Sequence, residues 1–200
     1  MGHLYDQLRK DGYLASLDLA WEDLLVKRSE GEIVIPLLDG WATVDLARRN
    51  VIIDLPESDR FLEIVLLHYL RWSLQNEDEG GPWEWSLFRQ MPGGEAYQAA
   101  FQERAVLPLA KMFSNAPSNM VSAAKKLGGR IEPFGSATAL LPFLPRLDVR
   151  VTVWQGDDEV PGNATILFPR TVPYMLPTED YAEIGAVVLA SLRRAASSDR

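Results

Sequence analysis

The sequence predicts an α+β fold in which helices cover a mostly antiparallel sheet within a single domain. Two observations lead to this prediction: segments that alternate like strands come in consecutive groups, and segments of helical periodicity stand between and after those groups. A regular alternation of one strand with one helix, which is typical of a doubly wound sheet, is absent. The length of 200 residues suits one domain, and the polar, glycine-rich segment 76–82 is the expected point of any subdivision.

The first part of the chain is expected to form a helix, a three-stranded meander and a central helix. Apolar residues at near-helical spacing predict the first helix over residues 18–28. Ser58 and Asp59 can cap a helix over residues 60–75, whose apolar side chains cover most of its faces, so that it should pack on two sides. Short alternating segments separated by turns predict the meander strands, at residues 32–36, 41–46 and 50–53.

The middle of the chain is expected to form one strand followed by two helices. Residues 83–89 alternate like a strand, which the Pro92-Gly93-Gly94 turn ends. Helical periodicity follows over residues 95–113 and again over residues 119–126. The Gly128–Gly129 pair then stands where the C-terminal cap of a helix adopts a positive φ.

The last part of the chain is expected to form one continuous antiparallel sheet and a final helix over residues 179–195. The strands should lie at residues 130–133, 138–141, 146–154 and 164–168. The last two strands should pair as a hairpin. Val149, Val151 and Val153 alternate with Arg150, Thr152 and Trp154, so that one face of the hairpin should be core.

Composition excludes several classes of function. The 28 acidic residues outnumber the 20 basic ones, and a net charge of −8 argues against nucleic-acid binding, which requires clustered Lys and Arg. The chain has no cysteine, which excludes disulfides, thiol nucleophiles and cysteine-ligated metals and suits a reducing compartment. No apolar run has the length of a signal peptide or a membrane span. We therefore expect an acidic, cytoplasmic protein without a membrane partner.

Three consecutive carboxylates, Asp157, Asp158 and Glu159, form an acidic turn between the two hairpin strands. Such residues are the oxygen ligands that Mg²⁺ and Ca²⁺ prefer. Adjacent residues on a turn rarely converge on one point, however, and the spacing of a calcium-binding loop is absent. The alternative interpretation is a solvated turn in which Asp157 bonds its own backbone, and no metal site is predicted.

Glu179 and Asp180 begin the final helix directly after Thr178. Thr178 is expected to be the N-cap, with the two acids in the first turn opposing the helix dipole. One of these carboxylates could instead act as a general acid or base, provided that the fold buries it near Glu84.

Arg89 precedes the Pro92–Gly94 turn and is the candidate for binding an anion. Gly93 and Gly94 would let the backbone approach a phosphate or carboxylate, and the following helix would direct its N–H groups at the ligand. Trp83 and Trp85, two residues apart on the preceding strand, could form one wall of the pocket. The alternatives are a structural turn with Arg89 in a salt bridge and two core tryptophans.

His68 is the internal residue whose ordinary pKa lies near neutrality, but its place in an apolar helical segment favours a core role. The other histidine is His3, so that a multi-histidine metal site cannot form. A Ser–His–Asp enzyme is not expected, because the Gly-x-Ser-x-Gly motif is absent.

Five sequence blocks stand in order along the chain: HYLRWS at 68–73, WSLFRQMPGGEAYQAAFQERAVLPLAKMF at 85–113, AAKKLGG at 123–129, WQGDDEVPGNATILF at 154–168 and YMLPTED at 174–180. In these blocks the chain resembles the bacterial and archaeal family known as domain of unknown function 3786. The resemblance implies no particular activity, because the family has none established. Some longer members carry a cysteine-rich segment suited to an iron–sulfur cluster, which this chain lacks.

The chain departs from the family pattern at two positions. Ser136 follows Gly135, and Pro169 follows Phe168, at places where relatives tend to have Asp. An essential metal site built from those two carboxylates is therefore not expected.

We accordingly expect a protein that binds a small molecule or a partner protein, with its pocket near Arg89, Gly93, Gly94 and the Trp83–Trp85 strand. The alternative is a carboxylate-based enzyme, with or without a divalent metal. Its candidate acidic residues are Glu84, Asp157, Asp158, Glu159, Glu179 and Asp180.

Overall fold

The computed structural model describes the backbone of residues 2–76, 84–170 and 175–198, and side chains from residue 11 onward. Trp83 and segment 77–82 lie outside the described residues, so that both predictions about them stand as predictions. No helix in the described ranges combines the length and the apolar character that crossing a membrane requires.

The described helices are α1 (Gly2–Leu25), α2 (Arg60–Ser73), α3 (Gly94–Phe101), α4 (Leu107–Phe113), α5 (Pro117–Lys126) and α6 (Thr178–Ser197). The strands are β1 (Glu32–Leu37), β2 (Gly40–Asp45), β3 (Asn50–Asp54), β4 (Trp85–Leu87), β5 (Arg130–Glu132), β6 (Ala137–Leu144), β7 (Leu147–Trp154) and β8 (Asn163–Pro169). A 3₁₀ turn covers Phe88–Gln90, and a π-helical turn, Gln102–Val106, joins α3 to α4.

The strands form two antiparallel sheets, which confirms the predicted α+β class. One sheet is the expected meander, in the order β1-β2-β3, and the other has the order β4-β8-β7-β6-β5. Helices α4 and α5 pack on the larger sheet, α6 packs on α5, and α2 lies between α6 and α1. The meander joins the larger sheet through a hydrogen bond of 3.1 Å from the Leu38 N–H to the Phe143 carbonyl.

The predicted hairpin is confirmed as β7 and β8, which pair from Arg150–Leu167 to Trp154–Asn163. Val149, Val151 and Val153 are fully buried, as the alternation predicts. Thr152, on the opposite face, is fully buried too, and its hydroxyl accepts a hydrogen bond from that of Thr138 at 2.9 Å, which offsets the cost of burying it. The second face of this sheet is therefore less open to solvent than the alternation indicates.

Helix α2 is central, as predicted. Asp59 caps it by accepting hydrogen bonds from the N–H groups of Phe61 at 2.8 Å and Leu62 at 3.3 Å. Leu62, Leu66 and Leu67 are fully buried. Because α2 contacts both α1 and α6, its apolar side chains are covered on two sides.

Three helical predictions need correction. Helix α1 extends from Gly2 to Leu25, well ahead of the predicted start at residue 18; Tyr13, in the part that was not predicted, packs against Phe61 of α2, a contact that local periodicity does not show. The predicted helix 95–113 contains the π-helical turn. Thr178 is the first helical residue rather than the N-cap, since Pro177 holds that position and the Thr178 hydroxyl donates to the Pro92 carbonyl at 2.6 Å.

Two smaller differences concern backbone geometry. The strand predicted over 83–89 is described only as Trp85–Leu87, because the chain turns into the 3₁₀ segment at Phe88. Gly128 adopts the expected positive φ of 75°, whereas Gly129 does not. A Cβ at Gly129 would collide with the Ala124 carbonyl oxygen, so that close packing accounts for the second glycine.

Candidate functional site

A cavity of about 650 Å³ opens where α1, α2, α3, the π-helical turn and the first turn of α6 meet. We call it the dyad cavity, after the His68–Asp180 pair in its wall. Its apolar lining comes from Tyr13, Phe61, Ile64, Tyr97, Pro177 and Ala182. Ser16, His68, Arg104, Glu179, Asp180 and Glu183 add polar groups. This combination of an apolar wall and a few polar groups is typical of small-molecule sites.

His68 and Asp180 form a hydrogen-bonded pair between α2 and α6. The distance from His68 Nδ1 to Asp180 Oδ2 is 2.7 Å. An ionised carboxylate can only accept hydrogen bonds, so that Nδ1 carries the proton when the imidazole is neutral. His68 Nε2 is then the acceptor, and it forms no hydrogen bond with the described residues. The His68 side chain is 23% exposed and lines the cavity, so that a ligand can reach it.

Burial controls the carboxyl group of Asp180, which is only 6% exposed. Loss of solvent raises the pKa of Asp180 above its ordinary value, and the hydrogen bond from His68 opposes this increase. The hydrogen bond from His68 therefore compensates the Asp180 carboxyl group for the solvent that it loses on burial. In turn, it fixes the orientation of the imidazole ring, because a single short bond holds Nδ1.

The wall opposite α6 is fixed by Tyr13 of α1. Its hydroxyl donates to Glu63 Oε2 at 2.8 Å, and its ring meets the Phe61 ring edge-on at 5.5 Å. The Arg60 guanidinium lies over the Tyr13 ring at 4.8 Å. Burial, followed by the bond to Glu63, raises the pKa of the Tyr13 hydroxyl, so that this side chain stays neutral. These contacts attach α1 to α2 at the cavity.

Arg104 enters the cavity lining from the π-helical turn. The turn has a local cause, because Pro108 has no N–H to donate to the Arg104 carbonyl and its ring would collide with that carbonyl in an α-helix. The Leu107 N–H bonds Gln102 instead. Single π-helical turns occur frequently at functional sites. The Arg104 side chain forms no ion pair or hydrogen bond with described residues.

A second cavity of about 380 Å³ adjoins the first, and His68 and Pro177 line both. Its other walls are Asp23, Arg71, Trp72, Gln75 and Met175. Arg71 and Trp72 follow His68 on α2 at the spacing i+3 and i+4, which places the three on one helix face, and Gln75 lies in the turn after the helix.

The sequence profile of the family described as domain of unknown function (DUF3786) matches residues 18–191. The chain belongs to this family. No match was found among curated proteins, and none among solved structures. The matched region of this DUF3786 member contains His68, Asp180 and Arg104, whereas Tyr13 precedes it.

The described residues that the sequence predicts to bind an anion, Arg89, Gly93, Gly94 and Trp85, do not line the dyad cavity. Arg89 is exposed in the 3₁₀ turn and forms no ion pair or hydrogen bond with the described residues. Gly93 has a φ of 73°, and a Cβ at Gly94 would collide with the Phe88 carbonyl oxygen. Both glycines are therefore required by the tight turn itself. Trp85 is half-buried, with the Arg150 guanidinium 5.9 Å from its ring.

The predicted acidic residues divide between the surface and the cavity. Glu84 forms an exposed ion pair with Arg170. Asp157 Oδ1 accepts hydrogen bonds from the N–H groups of Glu159 at 2.9 Å and Val160 at 2.7 Å, which is the predicted backbone-bonded turn. Asp158 and Glu159 are exposed. Glu179 and Asp180, in contrast, line the dyad cavity.

Within the described residues, no three or more His, Asp or Glu side chains are grouped so that they could hold a metal ion. The two carboxylates that reach the cavity differ in environment, because Glu179 is exposed and Asp180 is buried against His68. The arrangement suits hydrogen bonding and proton transfer better than metal coordination.

Sequence reasoning missed the partnership of His68 with Asp180 and the contributions of Tyr13 and Arg104. Local sequence favours a core role for His68, and it places Asp180 in a first helical turn as one of six candidate acidic residues. One usable signal was present: Pro108 interrupts a predicted helix at a point that disturbs the carbonyl of Arg104. The pairing of His68 with Asp180 has no local signal, since 112 residues separate them.

Proposed function

We propose that this DUF3786 member binds a small molecule in the dyad cavity, with His68 Nε2 accepting a hydrogen bond from an N–H or O–H group of the ligand. The observation that carries the proposal is the 2.7 Å bond between His68 Nδ1 and the buried Asp180 carboxylate. Asp180 orients the imidazole before any ligand arrives, so that binding costs little side-chain entropy.

The size and lining of the cavity support a compact ligand with an apolar part. A volume of about 650 Å³ falls within the range of small-molecule pockets. The rings of Tyr13, Phe61 and Tyr97 offer apolar surface to that part of the ligand. Arg104, which has no partner among the described side chains, supplies a hydrogen-bond donor on another wall.

The test is a thermal-shift screen of a small-molecule library against the wild-type protein, His68→Phe and Arg89→Ala. A ligand of the dyad cavity should raise the melting temperature of the wild type, because it binds only the folded state. The shift should be lost in His68→Phe, since a phenyl ring has no hydrogen-bond acceptor in place of Nε2. It should be retained in Arg89→Ala, because Arg89 does not line the cavity.

Hits that lose their effect in Arg89→Ala and keep it in His68→Phe would contradict this proposal. They would favour instead the sequence-predicted anion site at Arg89, Gly93, Gly94 and Trp85. Arg89 is exposed, so that its replacement should leave the melting temperature of the ligand-free protein nearly unchanged.

Acid–base catalysis is the second candidate function, and the same pair favours it. A histidine oriented by a buried carboxylate is the arrangement that general-base enzymes use to remove a proton from a substrate. The role falls to His68 and Asp180 rather than to Glu84, Asp157 and Glu159, which are exposed outside the cavity. Incubation of the screening hits with wild type and Asp180→Asn, followed by mass spectrometry, tests turnover: conversion by the wild type should fall in the variant.

A further inference from the structure

The second cavity has a lining distinct from that of the dyad cavity. One wall is the face of α2 that carries His68, Arg71 and Trp72, together with Gln75 in the turn after the helix. Asp23 of α1 lies against Arg71, and Met175 and Pro177, just before α6, complete the lining. The volume of about 380 Å³ suits one ring-sized group.

Charge in this cavity is balanced. Arg71 Nη1 lies 3.1 Å from Asp23 Oδ2, and their side chains are 45% and 43% exposed. An ion pair this exposed contributes little to stability, so that its groups can exchange partners with a ligand. An anion entering here would meet Asp23, and a cation would meet Arg71. A neutral ligand avoids both the repulsion between an anion and Asp23 and the repulsion between a cation and Arg71.

The polar groups offer donors and acceptors side by side. The Arg71 guanidinium has five N–H donors, the Asp23 carboxylate only accepts, and the Gln75 amide does both. Neighbouring hydroxyl groups on one ring also combine donors with acceptors. Such hydroxyls can satisfy Arg71, Asp23 and Gln75 together, which a single carbonyl or amine cannot do.

Trp72 provides the apolar surface that a ring also needs. The Arg146 guanidinium lies 4.4 Å from its ring centre, and Arg146 does not line the cavity, so that the indole is supported from outside. The Arg146 side chain is itself held by a hydrogen bond to the Asn76 carbonyl. Met175, which is buried, adds a second apolar contact. The indole can therefore accept the C–H face of a ring without rearrangement.

We propose that the second cavity binds a neutral polyhydroxylated group of the sugar-ring class, with Trp72 against its C–H face and its hydroxyls on Arg71, Asp23 and Gln75. His68 and Pro177 line both cavities, so that this group would bind next to the dyad cavity. The proposal is independent of what binds in the dyad cavity.

Nuclear magnetic resonance tests it on the full chain. The indole N–H signal of Trp72, assigned with Trp72→Phe, is followed during titration with glucose, ribose and glycerol, and separately with acetate and methylammonium. At least one of the two sugars should shift the signal saturably, and both charged probes should bind more weakly. Arg71→Met and Gln75→Met should each weaken sugar binding about tenfold, because each removes hydrogen bonds to the ring.

Arg130→Met is the matched control. Arg130 also forms an exposed ion pair, with Asp148 at 3.1 Å, but lies outside the cavity. Sugar affinity should be unchanged in this variant. Three results would each overturn the proposal. They are the absence of a saturable shift with either sugar, tighter binding of acetate or methylammonium than of the sugars, and an equal loss of sugar affinity in Arg130→Met. Arg71 and Gln75 are exposed, so that their variants remain folded and the test stays decisive.

Discussion

At the scale of single residues, the environment of each carboxylate decides its role. Asp180 and Asp157 are the same side chain in opposite surroundings. Asp180 is buried against His68, and its pKa is raised by the loss of solvent. Asp157 is exposed, and its pKa is lowered by the N–H groups of Val160 and Glu159. The first is suited to orienting a partner at a site, and the second to holding a turn.

The lowered pKa of Asp157 predicts a pH dependence of stability. The ionised carboxylate stabilises the folded state above the ordinary pKa of 3.8, and this contribution is lost as the pH falls through the lowered value. Relative to Asp157→Ala, the wild type should therefore melt at a higher temperature near neutral pH, with a smaller difference in strong acid. Melting curves between pH 7 and about pH 2 measure this.

Asp158→Ala is the control for that measurement. The Asp158 side chain is exposed and forms no hydrogen bond with the part of the chain that the structure describes. The difference in melting temperature between Asp158→Ala and the wild type should not become smaller in strong acid. If the melting temperatures of Asp157→Ala and the wild type differ by the same amount at every pH, the ionised Asp157 carboxylate does not stabilise the turn.

At the scale of elements, α2 both completes the core and supplies the site. One side of the helix carries fully buried leucines, and another carries His68, which lines both cavities, with Arg71 and Trp72, which line the second. The cap at Asp59 fixes where the helix begins. In the α3–α4 segment a local feature likewise positions a residue of the site. Pro108 imposes the π-helical turn from which Arg104 reaches the dyad cavity.

Replacement of Leu67 by Ala should lower the free energy of unfolding by roughly 2 to 5 kcal/mol, because Leu67 is fully buried and truncation leaves a cavity. Chemical denaturation measures the loss. Leu19→Ala on α1 is the matched control, since Leu19 is 60% exposed and its truncation should cost less than about 1 kcal/mol. Equal losses in the two variants would show that α2 is not a core element.

At the scale of the whole molecule, the meander is attached to the rest of the fold by polar links. Arg194 of α6 contacts Glu57 at 2.6 Å, before α2, and Asp39 at 2.9 Å, in the turn between β1 and β2. Bonds to both carboxylates raise the pKa of Arg194 despite partial burial, so that it stays charged. Together with the Leu38–Phe143 backbone bond, this network connects the two sheets.

We expect Arg194→Ala to lower the free energy of unfolding by about 1 to 3 kcal/mol, because it leaves the Glu57 carboxylate without its cation. Arg48→Ala is the control: the Arg48 side chain is 83% exposed, and loss of its ion pair with Asp45 should cost less than about 1 kcal/mol.

Denaturation of the wild-type protein, followed by circular dichroism and by tryptophan fluorescence, should give coincident single transitions. Separate transitions would favour a subdivision of the chain near 76–82.

The sequence by itself determined the class of fold, most elements and the acidic turn, because these follow from local patterns. Alternation of Val149, Val151 and Val153 and the cap at Asp59 act over a few residues, and the structure repeats both. The extent of α1 could not be predicted locally, since Tyr13 depends on a contact with Phe61.

Only the tertiary structure decided the candidate site. His68 reads as a core residue and Asp180 as a first-turn acid when each is considered within its own helix. Packing of α2 against α6 brings Nδ1 and Oδ2 to 2.7 Å, and α1 and the π-helical turn then enclose the cavity around them. Such contacts join residues far apart in the chain, and no local periodicity encodes which distant side chains will meet.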